Sequence, residues 1–181
     1  DARVLLGARN SMDSDRVDLD SRWTDSLPRI VGDHVLVTPR DSDELFCLDL
    51  QTGQERWKLP RSQFHSIAAI ADDSVVLCGN RVVQAFRLVD GKSLWTSLIS
   101  DGIVCGLPTT DGRLLQIPTS ELAIVTIDLQ TGRRLVTQRI LSSLEEATGQ
   151  VRGIPSPGNL LIIDGLVLSQ NLDSLRAYSM G

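Results

Sequence analysis

One segment of this chain recurs at a spacing of about forty residues, and that recurrence constrains the fold more than any other feature. Cys47–Trp57 reads Cys-Leu-Asp-Leu-Gln-Thr-Gly-Gln-Glu-Arg-Trp, and Ala85–Trp95 and Thr126–Val136 repeat its outline. Asp-Leu-Gln-Thr-Gly occurs twice without change, at Asp49–Gly53 and Asp128–Gly132. A fixed period of this size is the mark of a stacked architecture, in which one small supersecondary unit buries its faces against its neighbours. A cut-off fourth copy opens at Ala177, after a longer interval than the others.

Each copy makes physical sense as a β-hairpin. Leu45–Leu48 and Ala123–Ile127 are apolar and rich in β-formers, the composition that fits a pleated and buried surface. Gly53, Gly91 and Gly132 supply the positive φ of a tight connection. Asp49 and Asp128 are placed to accept main-chain N–H bonds across the turn. The chain then returns through Gln54–Leu59, Lys92–Leu98 and Arg133–Ile140. A further strand precedes each hairpin, at His34–Thr38, Ser74–Cys78 and Arg113–Ile117, and short runs near Pro28–Val31, Ile67–Ala71 and Cys105–Thr109 lie upstream again. The unit is four short antiparallel strands, the size of one propeller blade.

These runs predict an all-β chain: a β-propeller of four-stranded antiparallel blades, present as a partial ring of about four. The blades are expected at 28–63, 64–104 and 105–140, with partial blades at 1–27 and 157–181 and an insertion at 141–156. Ser142–Ala147, a serine followed by acidic residues, is the one helical candidate. Asp1 opens the chain without an initiator Met or a signal-peptide pattern, and Leu175–Gly181 stops in mid-pattern. The expectation is an excerpt of a seven- or eight-bladed parent, since at about forty residues per blade such a ring needs roughly 280–320.

The hairpin resembles the tryptophan-docking repeat of quinoprotein-like (PQQ-repeat) propellers, A-x-D-x-x-T-G-x-x-x-W. Cys47–Trp57 departs from it only at Cys47. Ala85–Trp95 keeps Ala85, Gly91 and Trp95 but has Arg87 and Asp90 at the Asp and Thr positions. Thr126–Val136 keeps Asp128, Thr131 and Gly132 but ends in Val136. The resemblance implies that Trp57 and Trp95 lie between neighbouring blades and lock one hairpin to the next, with a looser contact at Val136. Trp23 precedes the repeats and receives no role.

Family members of this kind include dehydrogenases that hold pyrroloquinoline quinone and Ca²⁺ in the central channel, and non-catalytic members such as a lipoprotein that assists outer-membrane barrel assembly. The dehydrogenases are expected to carry adjacent cysteines, and Cys47, Cys78 and Cys105 are isolated among strand residues. They read as small buried hydrophobes. His34 and His65 are far apart and fit no zinc spacing. Asp13, Asp15, Asp18 and Asp20 cluster without the Gly and terminal Glu of a calcium loop, so they read as a solvated surface, and Asp41–Glu44 reads as an acidic strand connection.

Composition closes off other classes. A net charge of −5 with 18 basic residues lacks the basic excess of a phosphate-binding protein, and aromatics at 4% are too few for base stacking. Arg56, Lys58, Arg61, Arg133, Arg134 and Arg139 sit beside acidic neighbours and read as a charged rim that guards strand edges. No apolar run approaches the ~18 residues of a membrane span. The sequence therefore points to a non-catalytic scaffold without a cofactor or metal site, binding a protein or peptide through its loops or channel rim. A periplasmic or cell-envelope setting comes from the resemblance alone. A quinone-dependent dehydrogenase fragment and a sensor domain of a larger signalling protein are the alternatives.

Overall fold

The structure is a computed structural model that describes residues 23–121, 123–139, 158–163, 166–170 and 175–179. The helical candidate Ser142–Ala147, the insertion at 141–156 and the Asp13–Asp20 cluster lie outside the described residues. Among the described residues, fifteen strands form four antiparallel sheets in chain order, three of four strands and one of three. The first sheet holds β1 (Arg29–Val31), β2 (His34–Val37), β3 (Glu44–Asp49) and β4 (Glu55–Pro60). The second holds β5 (Phe64–Ala71), β6 (Ser74–Gly79), β7 (Val82–Arg87) and β8 (Ser93–Leu98). The third holds β9 (Thr109–Thr110), β10 (Leu114–Thr119), β11 (Ala123–Asp128) and β12 (Arg134–Arg139). The fourth holds β13 (Asn159–Ile163), β14 (Leu166–Gln170) and β15 (Leu175–Ser179). Each sheet is a simple meander, and the fold is part of a β-propeller ring.

Two cores fix the stacking. Leu36, Leu45 and Cys47 of the first sheet meet Ile67, Val75, Leu77 and Phe86 of the second. Val76, Cys78, Val83 and Ala85, from the opposite face of the second sheet, meet Leu115, Ile117, Val125 and Ile127 of the third. Neighbouring residues of β6 thus serve different interfaces, because successive side chains of a strand point to opposite faces. Being covered on both sides, β6 reads as a continuous apolar run, Ser74–Gly79, with every residue buried. β3 instead alternates between buried and half-buried residues, and its second face is only partly covered.

The three hairpins that carry the repeat share one geometry. In each, the N–H of the turn glycine bonds to the carbonyl four residues earlier: Gly53 to Asp49, Gly91 to Arg87 and Gly132 to Asp128, at 2.8–2.9 Å. All three glycines have φ of 69°. A bulge follows at the same place in each, where β3 meets β4, β7 meets β8 and β11 meets β12.

The third sheet departs from the expected run near Cys105–Thr109. Its innermost strand is only Thr109–Thr110, with an isolated bridge from Val104 to Thr119. The reason is local. Pro108 and Pro118 have no N–H to give a ladder, and the Pro118 carbonyl, bonded by Cys105 N–H at 3.1 Å, shows that Pro118 turns its main chain toward this side.

Candidate functional site

The docking role inferred for Trp57 and Trp95 has a definite structure. Trp57 Nε1 donates to the Leu88 carbonyl of the next sheet at 2.8 Å, and Trp95 Nε1 donates to the Leu129 carbonyl of the sheet after that at 3.0 Å. Each ring lies on the next turn glycine. A Cβ built on Gly91 would stand 3.0 Å from Trp57 Cδ2, and one on Gly132 only 2.4 Å from Trp95 Cδ2. The glycines therefore do two jobs, supplying positive φ and leaving room for an indole. Gly53 has nothing within 4 Å of that position. Val136, at the third docking position, is 53% exposed.

Trp23 behaves differently. It is buried in the core between the first and second sheets, and its indole N–H finds no acceptor among the described residues. The following residue, Thr24, ties this segment to the second sheet by donating its N–H and its hydroxyl to the His65 carbonyl, at 2.8 and 3.0 Å.

The turn carboxylates are occupied in holding turns. Asp49 Oδ1 accepts from the N–H groups of Gln51 and Thr52 and from the Thr52 hydroxyl. Asp128 Oδ1 accepts from Thr131 N–H at 2.9 Å and its hydroxyl at 2.8 Å. In the second sheet the charges are exchanged: Arg87 replaces the Asp and pairs with Asp90, whose carboxylate accepts from Lys92 N–H. Arg56, followed by Thr52, holds the Asp49 carboxyl well below the usual carboxylate range, and the Thr131 hydroxyl and N–H lower that of Asp128.

The first sheet adds a charged cluster at the same end. Arg56 reaches both Asp33 and Asp49, and its Nη1 lies 2.8 Å from His34 Nε2. His34 Nδ1 sits 2.8 Å from Asp33 Oδ1. Elsewhere Lys58 pairs with Glu44, Arg61 with Asp43 and Arg134 with Asp101. The acidic connection Asp41–Glu44 thus feeds ion pairs to β4 and the residue after it. Exposed pairs of this kind contribute little stability individually.

A cavity of about 350 Å³ opens where the inner ends of the sheets converge. Thr24, His65, Asn80, Cys105, Leu107 and Asn159 line it, drawn from the segment before the first sheet, from the second sheet, from the stretch leading into β9 and from the start of β13. Backbone ties hold this wall: Asn80 C=O accepts from Val104 N–H, and Asn159 Oδ1 accepts from Leu107 N–H at 3.0 Å. Gly106 lets the third and fourth segments approach, since a Cβ there would stand 2.2 Å from the Gly158 carbonyl.

The cavity wall offers two amides, one hydroxyl, an imidazole, a thiol and apolar surface, a set suited to holding a peptide or loop. Calcium takes six to eight oxygen ligands, carboxylates prominent among them, the cavity wall carries none, and the described residues include no group of three His, Cys, Asp or Glu side chains able to hold a metal ion. Burial pushes the Cys47 thiol up to about 11 and the Cys78 thiol up to about 12, so both stay protonated near neutral pH. His34 and His65, read in the sequence as unrelated, lie in different places, one in the charged cluster and one at the cavity. The cavity has no signature in the sequence, because its wall is assembled from residues far apart in the chain, on β5, on the β6–β7 connection, before β9 and on β13. No helix among the described residues is long and apolar enough to cross a membrane.

A family model described as outer membrane protein assembly factor BamB matches residues 9–164. No curated protein matches the chain. Among solved structures, BamB from Moraxella catarrhalis superposes with a TM-score of 0.59 at 20% identity, over 82% of this chain and 44% of that one. The computationally designed Ika4 protein superposes with a TM-score of 0.62 at 15% identity, over 86% of this chain and 91% of that one. The designed Ika8 protein gives 0.57 at 14%, over 86% and 45%. The chain therefore spans less than half the length of the Moraxella protein.

Proposed function

The chain belongs to the family described as outer membrane protein assembly factor BamB, and from that premise we propose that it is a non-catalytic scaffold that binds protein, with the cell envelope as its setting. The family match over residues 9–164 is the observation that carries this reading. An assembly factor works on other proteins, and a propeller offers a rigid frame with loops and a channel mouth for them. The site chemistry is in keeping. The turn carboxylates Asp49 and Asp128 accept from main-chain and hydroxyl donors, Cys47 and Cys78 are buried, and the polar side chains lining the cavity are the Asn80 and Asn159 amides, the Thr24 hydroxyl, His65 and the half-buried Cys105 thiol.

Leu107 gives the reading a handle. It lines the cavity and is 46% exposed, more than a residue serving only the core would be. A purified outer-membrane β-barrel precursor, diluted from urea, serves as the probe, with a soluble globular protein as control. The expected result is a stoichiometric complex with the precursor in native mass spectrometry, weakened about tenfold or more by Leu107→Glu, as for a buried apolar contact of ~1.4 kcal/mol or above. Stoichiometric, Ca²⁺-dependent binding of pyrroloquinoline quinone, with turnover of an alcohol, overturns the proposal.

A further inference from the structure

The outer edges of the sheets are not protected alike. Each complete sheet ends in a strand whose alternate residues bond inward and whose remaining residues point their N–H and C=O away from the sheet. Ile99 N–H bonds to Arg81 C=O, and Arg61 N–H bonds to Asp43 C=O in the equivalent place. With the pairing of β8 to β7, this turns Trp95 and Ser97 inward and leaves the main-chain groups of Thr96 and Leu98 facing out. By the same alternation, β4 presents Lys58 and Pro60. β12 presents Thr137 and Arg139.

Those differences decide what each edge can pair with. On β4, a second strand would meet a residue with no N–H at Pro60 and a cation at Lys58, two devices that block edge pairing. β12 carries Arg134 and Arg139, and β15 carries Arg176. β8 reads Ser-Leu-Trp-Thr-Ser-Leu and has no charge and no proline. Its outward side chains are left in water: Leu98 is 73% exposed, Leu94 is 45% exposed, and Thr96 is also exposed. In every antiparallel register of β8 against itself, the facing residues are Leu, Thr, Ser or Trp, and no like charges meet. Only the bulge beside Leu94 interrupts the ladder, and it lies at the start of the strand.

We propose that β8 pairs antiparallel with β8 of a second copy of this chain, joining two second sheets across a two-fold axis. The occupant follows from self-complementarity. An isologous contact must suit its own surface, and β8 alone among the three complete outer edges does. The net charge of −5 on each copy opposes the association, so it strengthens with added salt, which screens charges beyond about 10 Å at 0.1 M.

Sedimentation equilibrium of the chain over a hundredfold range of concentration tests this, paired with hydrogen exchange of individual amides. The expected mass rises from 19.8 kDa toward roughly twice that value. As it rises, the amides of Thr96 and Leu98 gain at least tenfold protection, while those of Trp95 and Ser97, already bonded to β7, do not change. Thr96→Lys, which places lysine where β4 has Lys58, and Leu98→Pro, which copies Pro60, are expected to hold the chain at 19.8 kDa with unaltered circular dichroism. Thr96→Val is expected to keep the dimer. A chain that stays monomeric throughout, or a dimer that survives Thr96→Lys with unchanged Thr96 and Leu98 amides, overturns the proposal. Either result leaves the protein-binding reading of the channel mouth untouched.

Discussion

At the scale of single residues, glycine is used in two ways that the sequence cannot separate. Gly53 and Gly132 occupy the same repeat position and share a φ of 69°. A Cβ at Gly53 meets open space, whereas at Gly132 it meets the Trp95 ring at 2.4 Å. Gly53→Ala is therefore expected to cost only the left-handed backbone penalty, about 1–2 kcal/mol. Gly132→Ala adds overpacking against an indole, about 1–3 kcal/mol more. Thermal melting checks this: Gly132→Ala should melt several degrees below Gly53→Ala, at about 2–4 °C per kcal/mol for a chain of this size. Equal melting temperatures would show that the ring does not rest on the glycine. The turn carboxylates supply a second residue-scale prediction. Asp49 and Asp128 titrate below their ordinary value of about 3.9 in the folded chain. Their contribution is present above that value and is lost as pH falls through it toward the folded pKa. Melting temperature should fall below about pH 5, and the double variant Asp49→Asn/Asp128→Asn should melt lower at neutral pH yet lose less on acidification. An unchanged acid slope would separate these carboxylates from the stability of the turns.

At the scale of the element, the hairpins were legible because their information is local. Asp49–Gly53 and Asp128–Gly132 carry turn chemistry, capping acceptor and positive φ within five consecutive residues. β6 was legible as a strand, but not as one buried on both faces, since that depends on the sheets stacked against it. β9 is shorter than its sequence run, since Pro108 directly before it and Pro118 on the neighbouring β10 both lack the N–H that would extend the ladder, and the second of these is not local in sequence. Arg87 and Asp90 show the converse. They depart from the repeat pattern at two positions, yet the second hairpin keeps the same glycine bond and the same φ, because that bond joins main-chain groups and Gly91 supplies the positive φ whatever side chains stand at 87 and 90. The candidate site was least legible. His65, Asn80, Leu107 and Asn159 belong to no motif, and only the convergence of four segments makes them neighbours. Trp23 is illegible for a related reason: the core cluster it belongs to, with Leu36, Leu45 and Phe64, is gathered from distant parts of the chain, and it fills that core instead of docking on a turn.

At the scale of the whole molecule, the sheets form a row in which each touches its neighbours in sequence, so stability is a sum of sheets and interfaces. Among the described residues, the second sheet is the only four-stranded one between two extensive apolar cores. Trp57 and Trp95 each close one of its interfaces, bridging to a carbonyl 31 and 34 residues away. Removing one indole should therefore weaken one interface and spare the other. Trp57→Ala should lower the protection of amides in β2 and β3 while β10 and β11 keep theirs; Trp95→Ala should do the reverse. Each variant should cost about 3 kcal/mol, the low end for a large aromatic because both rings are only half-buried. Native-state hydrogen exchange reads this directly, since it reports opening of separate cooperative units. Uniform loss of protection in all sheets from either variant would mean that the row unfolds as a single unit, and that the tryptophans do not govern separate joints.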